Sequence, residues 1–267
     1  MKPFNHQPRK RFGQHFLTDP SIINELVMLI DAKPEDHLVE IGPGLGALTE
    51  HLIGTSERYE AVELDRDLMT PLNQKFSHFK QWHLHSGDAL NFDFSALAQP
   101  QKLLRVVGNL PYNISTPLLF HLFSFKAVIQ DMYFMLQKEV VDRLTAQPND
   151  TNYGRLTLMT QYHCTAEFLL HVPAAAFSPP PKVESAIVKL TPHQHHNHTL
   201  TLQKNLSLIV GSAFNQRRKT IANGLKSLLH FSVIKSLGIN PTLRPQQLSL
   251  SDYLKLAHCL NEISEDK

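Results

Sequence analysis

The stretch His37-Leu38-Val39-Glu40-Ile41-Gly42-Pro43-Gly44-Leu45-Gly46-Ala47-Leu48-Thr49-Glu50-His51-Leu52-Ile53 decides the fold. Its first five residues read as a strand, Gly42 to Gly46 as a tight loop, and Ala47 to Ile53 have helical spacing. Strand, glycine loop and helix open a nucleotide site: the glycines let the backbone approach a ligand closely, and the helix start adds N–H donors. Gly42, Gly44 and Ala47 also satisfy the dinucleotide fingerprint with alanine in third place, so a nicotinamide or flavin cofactor stays open here.

Two carboxylates follow in order. Tyr59 to Asp65 reads as the second strand, placing Glu63 about 20 residues past the glycines, where a carboxylate can accept both ribose hydroxyls. His83-Leu84-His85-Ser86 reads as the third and runs into Gly87-Asp88-Ala89, an acid able to accept from an adenine amine or to serve as a turn acid. The apolar run Leu103-Leu104-Arg105-Val106-Val107 then leads into Asn109-Leu110-Pro111-Tyr112. An amide oxygen and the Leu110 carbonyl are two acceptors that can take both hydrogens of an exocyclic amine. Tyr112 can stack on the ring that carries it.

Outward from this block, residues 1–20 form a basic arm, Ser21 to Ile30 a capped amphipathic helix, and strands and helices alternate from about 36 to 190, implying a mostly parallel sheet. Met132 to Leu136 and two late segments, Phe168 to Val172 and Ser185 to Leu190, read as strands; Lys138 to Thr145 and Tyr153 to His163 read as helices. The expected division is an arm over 1–20, a Rossmann-like domain over 21–191, a His-rich linker over 192–199, and a small all-helical domain over 200–267 with turns at Gly211, Gly238 and Pro241. His193, His195, His196 and His198 match no zinc spacing and have no cysteine partners nearby, so no metal is expected.

Glycine loop, Glu63, Asp88 and Asn109 to Tyr112, at four successive strand ends, resemble the S-adenosylmethionine-dependent methyltransferases. The tetrapeptide resembles those that methylate amines on bases. Lys10 to Leu17 (KRFGQHFL), Val39 to Gly46 (VEIGPGLG), Asn109 to Pro117 (NLPYNISTP), Phe177 to Ser185 (FSPPPKVES) and Phe214 to Thr220 (FNQRRKT) are together similar to the bacterial small-subunit ribosomal RNA adenine dimethyltransferases, the kasugamycin-sensitivity family. The resemblance implies a Rossmann-like S-adenosylmethionine-dependent domain, with a mostly parallel doubly wound sheet, and a helical RNA-binding domain. It implies that His15 and Leu17 join Gly42, Gly44, Glu63, Asp88 and Asn109 around S-adenosylmethionine. Asn109, Leu110, Pro111 and Tyr112 would form the catalytic grip, with Phe177 on the face of the target adenine opposite Tyr112. The implied reaction is N6,N6-dimethylation of two adjacent adenines in the 3′-terminal hairpin loop of 16S rRNA, within the assembling 30S subunit. The erythromycin-resistance enzymes acting on large-subunit RNA, and an assembly factor with secondary catalysis, are the alternatives.

Charge is arranged to suit an RNA partner. The net charge is only +2, yet residues 1–20 hold four basic and one acidic residue and residues 201–267 hold nine and four, around an acidic middle. Arg9, Lys10 and Arg11 at one end and Arg217, Arg218 and Lys219 at the other are the expected phosphate contacts. The opening residues show no signal peptide and no apolar run is long enough to cross a bilayer. Cys164 and Cys259 read as reduced thiols. A cytoplasmic monomer is the expectation.

Overall fold

The structure, a computed structural model, describes residues 14–194 and 199–265. Contacts between backbone positions divide the chain into two compact units, residues 1–141 with 165–194, and residues 142–164 with 195–267.

The first unit is built on a seven-stranded sheet. Strands β2 (His37–Ile41), β3 (Arg58–Glu63), β4 (Trp82–Ser86), β5 (Leu104–Asn109) and β6 (Ile129–Gln137) run parallel in the order β4-β3-β2-β5-β6. They are followed by β9 (Ser185–Pro192), antiparallel to β6, and by β7 (Cys164–Val172) at the edge. Every residue of β2 is buried, as expected for a central parallel strand covered on both faces. The strand order reverses direction at β2, with β3 on one side and β5 on the other, so their carboxyl ends open a crevice between them. Gly108 tightens that crevice: a Cβ there would lie 2.6 Å from the Ile41 carbonyl oxygen.

Helix α1 (Pro20–Ile30) starts where Asp19 accepts from the N–H groups of Ser21 and Ile22, and it ends at Asp31 in the left-handed region. Its C-terminal end is tied to the sheet by one cation. Arg105 on β5, buried, donates to the Ile30 carbonyl at 2.7 Å, to Asp131 at 2.9 and 3.1 Å and to Asp36 at 2.6 Å. A buried guanidinium persists only when paired this completely. Residues of the N-terminal arm also enter the fold: β1 (Phe16–Leu17) pairs antiparallel with β8 (Phe177–Ser178), Leu17 opposite Phe177.

The second unit is helical: α6 (Arg155–His163), α7 (Leu200–Asn215), α8 (Ile221–Gly224), α9 (Phe231–Ser236) and α10 (Leu250–Glu265). Leu158, Met159 and Tyr162 share one buried cluster with Leu206, Ile209 and Leu256. Residues 142–164, read from sequence with the sheet, thus group with the C-terminal helices, because the apolar face of α6 is covered there. Buried Tyr153 and Tyr253 satisfy their hydroxyls on the carbonyls of Leu248 and Pro245, both at 2.9 Å. One turn expected from sequence is absent. Gly211 lies inside α7, next to the Arg155 guanidinium, between buried Val210 and Ala213. Packing on both sides outweighs a helix penalty of about 1 kcal/mol. Gly238 does turn, with φ +77°.

Candidate active site

At the carboxyl ends of β2, β3, β4 and β5 the first unit holds a cavity of about 580 Å³, within the usual range for small-molecule sites. Its floor is the glycine loop. Gly44 has φ +59° and Gly46 φ +81°, and a Cβ at Gly44 would meet the Phe16 ring at 3.0 Å, so close approach of the N-terminal arm constrains this loop as well as any ligand. Glu63 clamps the loop from the neighbouring strand: its Oε2 accepts from the Gly44 N–H at 3.2 Å and its Oε1 from the Asp65 N–H at 2.8 Å. Burial raises the Glu63 carboxyl above its ordinary value while the backbone donors pull it down. A carboxylate offers about four acceptor sites, so Glu63 can take these backbone donors and a hydroxyl as well.

Asp88 is half-buried on the cavity wall, and its carboxylate accepts from the Leu90 N–H at 3.0 Å and from the Asn91 amide at 3.1 Å. It is therefore a turn acid and a cavity acid at once. The two readings of its sequence do not compete.

The tetrapeptide occupies the β5 end. The Asn109 Nδ2 donates to the His15 carbonyl at 2.8 Å, which fixes the amide and leaves Oδ1 as its acceptor. Leu110 N–H donates to the Met135 carbonyl at 3.2 Å, anchoring the turn to β6. Tyr112 is held at both ends, its hydroxyl 2.7 Å from Ser185 Oγ and its carbonyl accepting from Ser115 Oγ at 3.1 Å. Burial raises the phenol above its ordinary value, so it stays protonated at neutral pH.

These features meet a comparison with known proteins. Residues 5–262 match the family described as ribosomal RNA adenine dimethylase. The chain belongs to this family. It is 51% identical over 271 residues to the ribosomal RNA small subunit methyltransferase A of Marinobacter nauticus, covering 98% of each chain. To the protein of the same name from Pseudomonas aeruginosa it is 52% identical over 260 residues, covering 97% of each. Among solved structures it is similar to a dimethyladenosine transferase from Plasmodium falciparum, with TM-score 0.79 and 25% identity over 94% of this chain and 98% of that one. The 23S rRNA methyltransferase ErmE shares the fold, with TM-score 0.73 and 23% identity over 92% of this chain and 99% of that one. As a ribosomal RNA adenine dimethylase the chain is a methyltransferase, with the Rossmann-like architecture of that class.

In this family member the cavity brings together His15, Leu17, Gly42, Gly44, Glu63, Asp88 and Asn109, with Leu110, Pro111 and Tyr112 beside them. Phe177 is elsewhere. Paired with Leu17, it is only 3% exposed, shares a buried cluster with Val107 and Met135, and does not line the cavity, because the β1–β8 ladder turns its ring into the core. Arg217, Arg218 and Lys219 are all exposed, and Arg217 donates to the Thr151 carbonyl at 2.7 Å. Arg9, Lys10 and Arg11 lie outside the described residues, as do His195, His196 and His198. Among the described residues no group of His, Cys, Asp and Glu could hold a metal ion, and no helix is long and apolar enough to cross a membrane.

One cavity residue escaped the sequence reading. Glu40, buried within β2, accepts from Thr49 Oγ1 at 2.5 Å and from the Tyr59 hydroxyl at 2.7 Å, and burial pushes its carboxyl up to about 7. The available signal was an acid inside a strand that is otherwise apolar at its centre. Gln14 joins the wall too, its Nε2 donating to Asp65 Oδ2 at 3.2 Å.

Proposed function

We propose that this cavity binds S-adenosylmethionine and that Asn109, with the Leu110 carbonyl, grips the amine of an adenine while methyl groups are transferred to it. The donor set fits the cofactor: a buried acid beside a glycine loop for the ribose, Asp88 for an adenine amine, and an apolar wall including Leu17, Leu45 and Met135. When bound, S-adenosylmethionine supplies an electrophilic methyl group on a positively charged sulfur. All other work falls to the chain. An adenine amine is a poor nucleophile, since its lone pair is delocalised into the ring. Acceptors on its two hydrogens favour the pyramidal geometry and aim the lone pair, and alignment supplies most of the rate. As positive charge develops on nitrogen, the same oxygens stabilise it, and after transfer the nitrogen releases a proton to water. Tyr112 presents a ring for stacking, and a base reaches it only when turned out of its RNA stack.

The observation that carries this reading is the orientation of the Asn109 amide, whose nitrogen is committed to His15 and whose oxygen remains an acceptor. The names of the close relatives support small-subunit ribosomal RNA as the substrate. We place the reaction in the cytoplasm, on two adjacent adenines near the 3′ end of that RNA in an assembling 30S subunit, with the enzyme acting as a monomer. Arg9 to Arg11 and Arg217 to Lys219 would meet phosphates, with Arg217 anchoring its loop and Arg218 and Lys219 reaching outward.

Asn109→Ala tests the grip. Loss of an acceptor used mainly in the transition state should lower single-turnover methylation by about 100-fold or more, by analogy with removal of one oxyanion-hole donor. Binding of the 30S particle, measured directly, should barely change. Near-wild-type methylation by Asn109→Ala would overturn the assignment.

A further inference from the structure

The N-terminal arm contributes a ring to the cavity, and that ring has a partner. The His15 imidazole lies nearly parallel to Tyr112, with centroids 5.8 Å apart and planes at 22°. Its Nδ1 is 2.7 Å from the Pro179 carbonyl oxygen, two residues past Phe177. The same residue's backbone carbonyl holds the Asn109 amide at 2.8 Å. His15 thus stands between Tyr112 and the 177–179 segment. A centroid distance in this range is that of an aromatic pair in contact, and it leaves no space for a second flat ring between the two.

We propose that His15 gates the substrate position: its imidazole occupies the Tyr112 face on which the target base stacks, and the ring must rotate aside to admit the base. This rests on the reading of Tyr112 as the stacking surface for an adenine. The geometry gives the gate two anchors, the Tyr112 face and the Pro179 carbonyl, and a pivot at a backbone that does not need to move. Only the side chain has to rotate, so the His15 carbonyl can keep the Asn109 oxygen in place as the base arrives. The cost of opening appears as a reduced affinity for substrate, since only the open fraction is competent to bind. His15 is in this sense a positioning residue whose ring competes with the base.

The test compares the KM for undermethylated 30S subunits with the dissociation constant for S-adenosylmethionine in wild type, His15→Ala and His15→Asn. Both variants delete the aromatic ring, and the asparagine keeps a polar side chain should the alanine chain fail to fold. The expected result is a KM for the subunit lowered by about two- to tenfold, the range an aromatic pair contributes, in whichever variant folds. In a Tyr112→Leu background the same substitution should leave KM unchanged, because the competing surface is gone. A KM that is unchanged or raised in a folded His15 variant with cofactor affinity intact would overturn the gate, as would a full effect persisting in the Tyr112→Leu background. Absence of methylation by the wild type would instead remove the reading on which the gate rests.

Discussion

Asn109 and Phe177 are legible in the sequence to different depths. For Asn109, position at a strand end and the side chain's own donors and acceptors suggest the amine grip, and the structure adds that its nitrogen faces the His15 carbonyl. For Phe177, three prolines and an aromatic ring say that the segment is stiff, but not which way the ring turns. That is decided by a strand of two residues, β1, whose apolar Leu17 needs a partner across the ladder. Phe177→Ala should therefore behave as a core truncation, lowering stability by about 3–5 kcal/mol in a denaturant melt. Stability within 1 kcal/mol of wild type would contradict this packing role.

Between elements, Glu40 joins β2 to the first residue of α2 (Thr49–Leu52) and to β3, so it holds the two ends of the glycine loop against the sheet. Its carboxyl titrates at about 7 in the folded chain against an ordinary 4.5. Between these values the folded state holds a proton that the unfolded state has released, so stability falls as pH rises from 4.5 to 7. At one pKa unit per 1.36 kcal/mol the loss is roughly 3 kcal/mol. Glu40→Gln cannot titrate and should lose this slope, as urea melts of the two chains at pH 5 and pH 8 would show. Identical slopes would mean that the carboxyl is not protonated by burial. Much else at this scale was legible in the sequence. The central parallel strands β2, β3 and β5 fall where apolar runs end in glycine or acid, because such strands are covered on both faces. The two-residue ladder β1–β8, the helical course of Gly211 and the affiliation of residues 142–164 were not, since each depends on a partner distant in sequence.

For the whole molecule, the basic ends read from composition bear on a polyanionic substrate. Arg217 and Arg218 are both exposed, and Arg217 spends a donor on the Thr151 carbonyl. Arg218→Ala should weaken binding to the 30S subunit and reduce the dependence of log affinity on log salt by roughly one, as for one lost phosphate contact. A salt series with unchanged slope would assign this side chain to solvent. The central proposal is that one cavity, lined by the glycine loop, Glu63, Asp88 and the Asn109 tetrapeptide, moves methyl groups onto adenines of small-subunit RNA. Its most direct test is incubation of the protein with methyl-labelled S-adenosylmethionine and undermethylated 30S or 50S subunits, followed by mapping of the label. The expected label lies on N6 of two adjacent adenines near the 3′ end of 16S rRNA, two methyls on each, with none on the 50S particle. Label confined to 23S rRNA, or no transfer to either subunit, would contradict it.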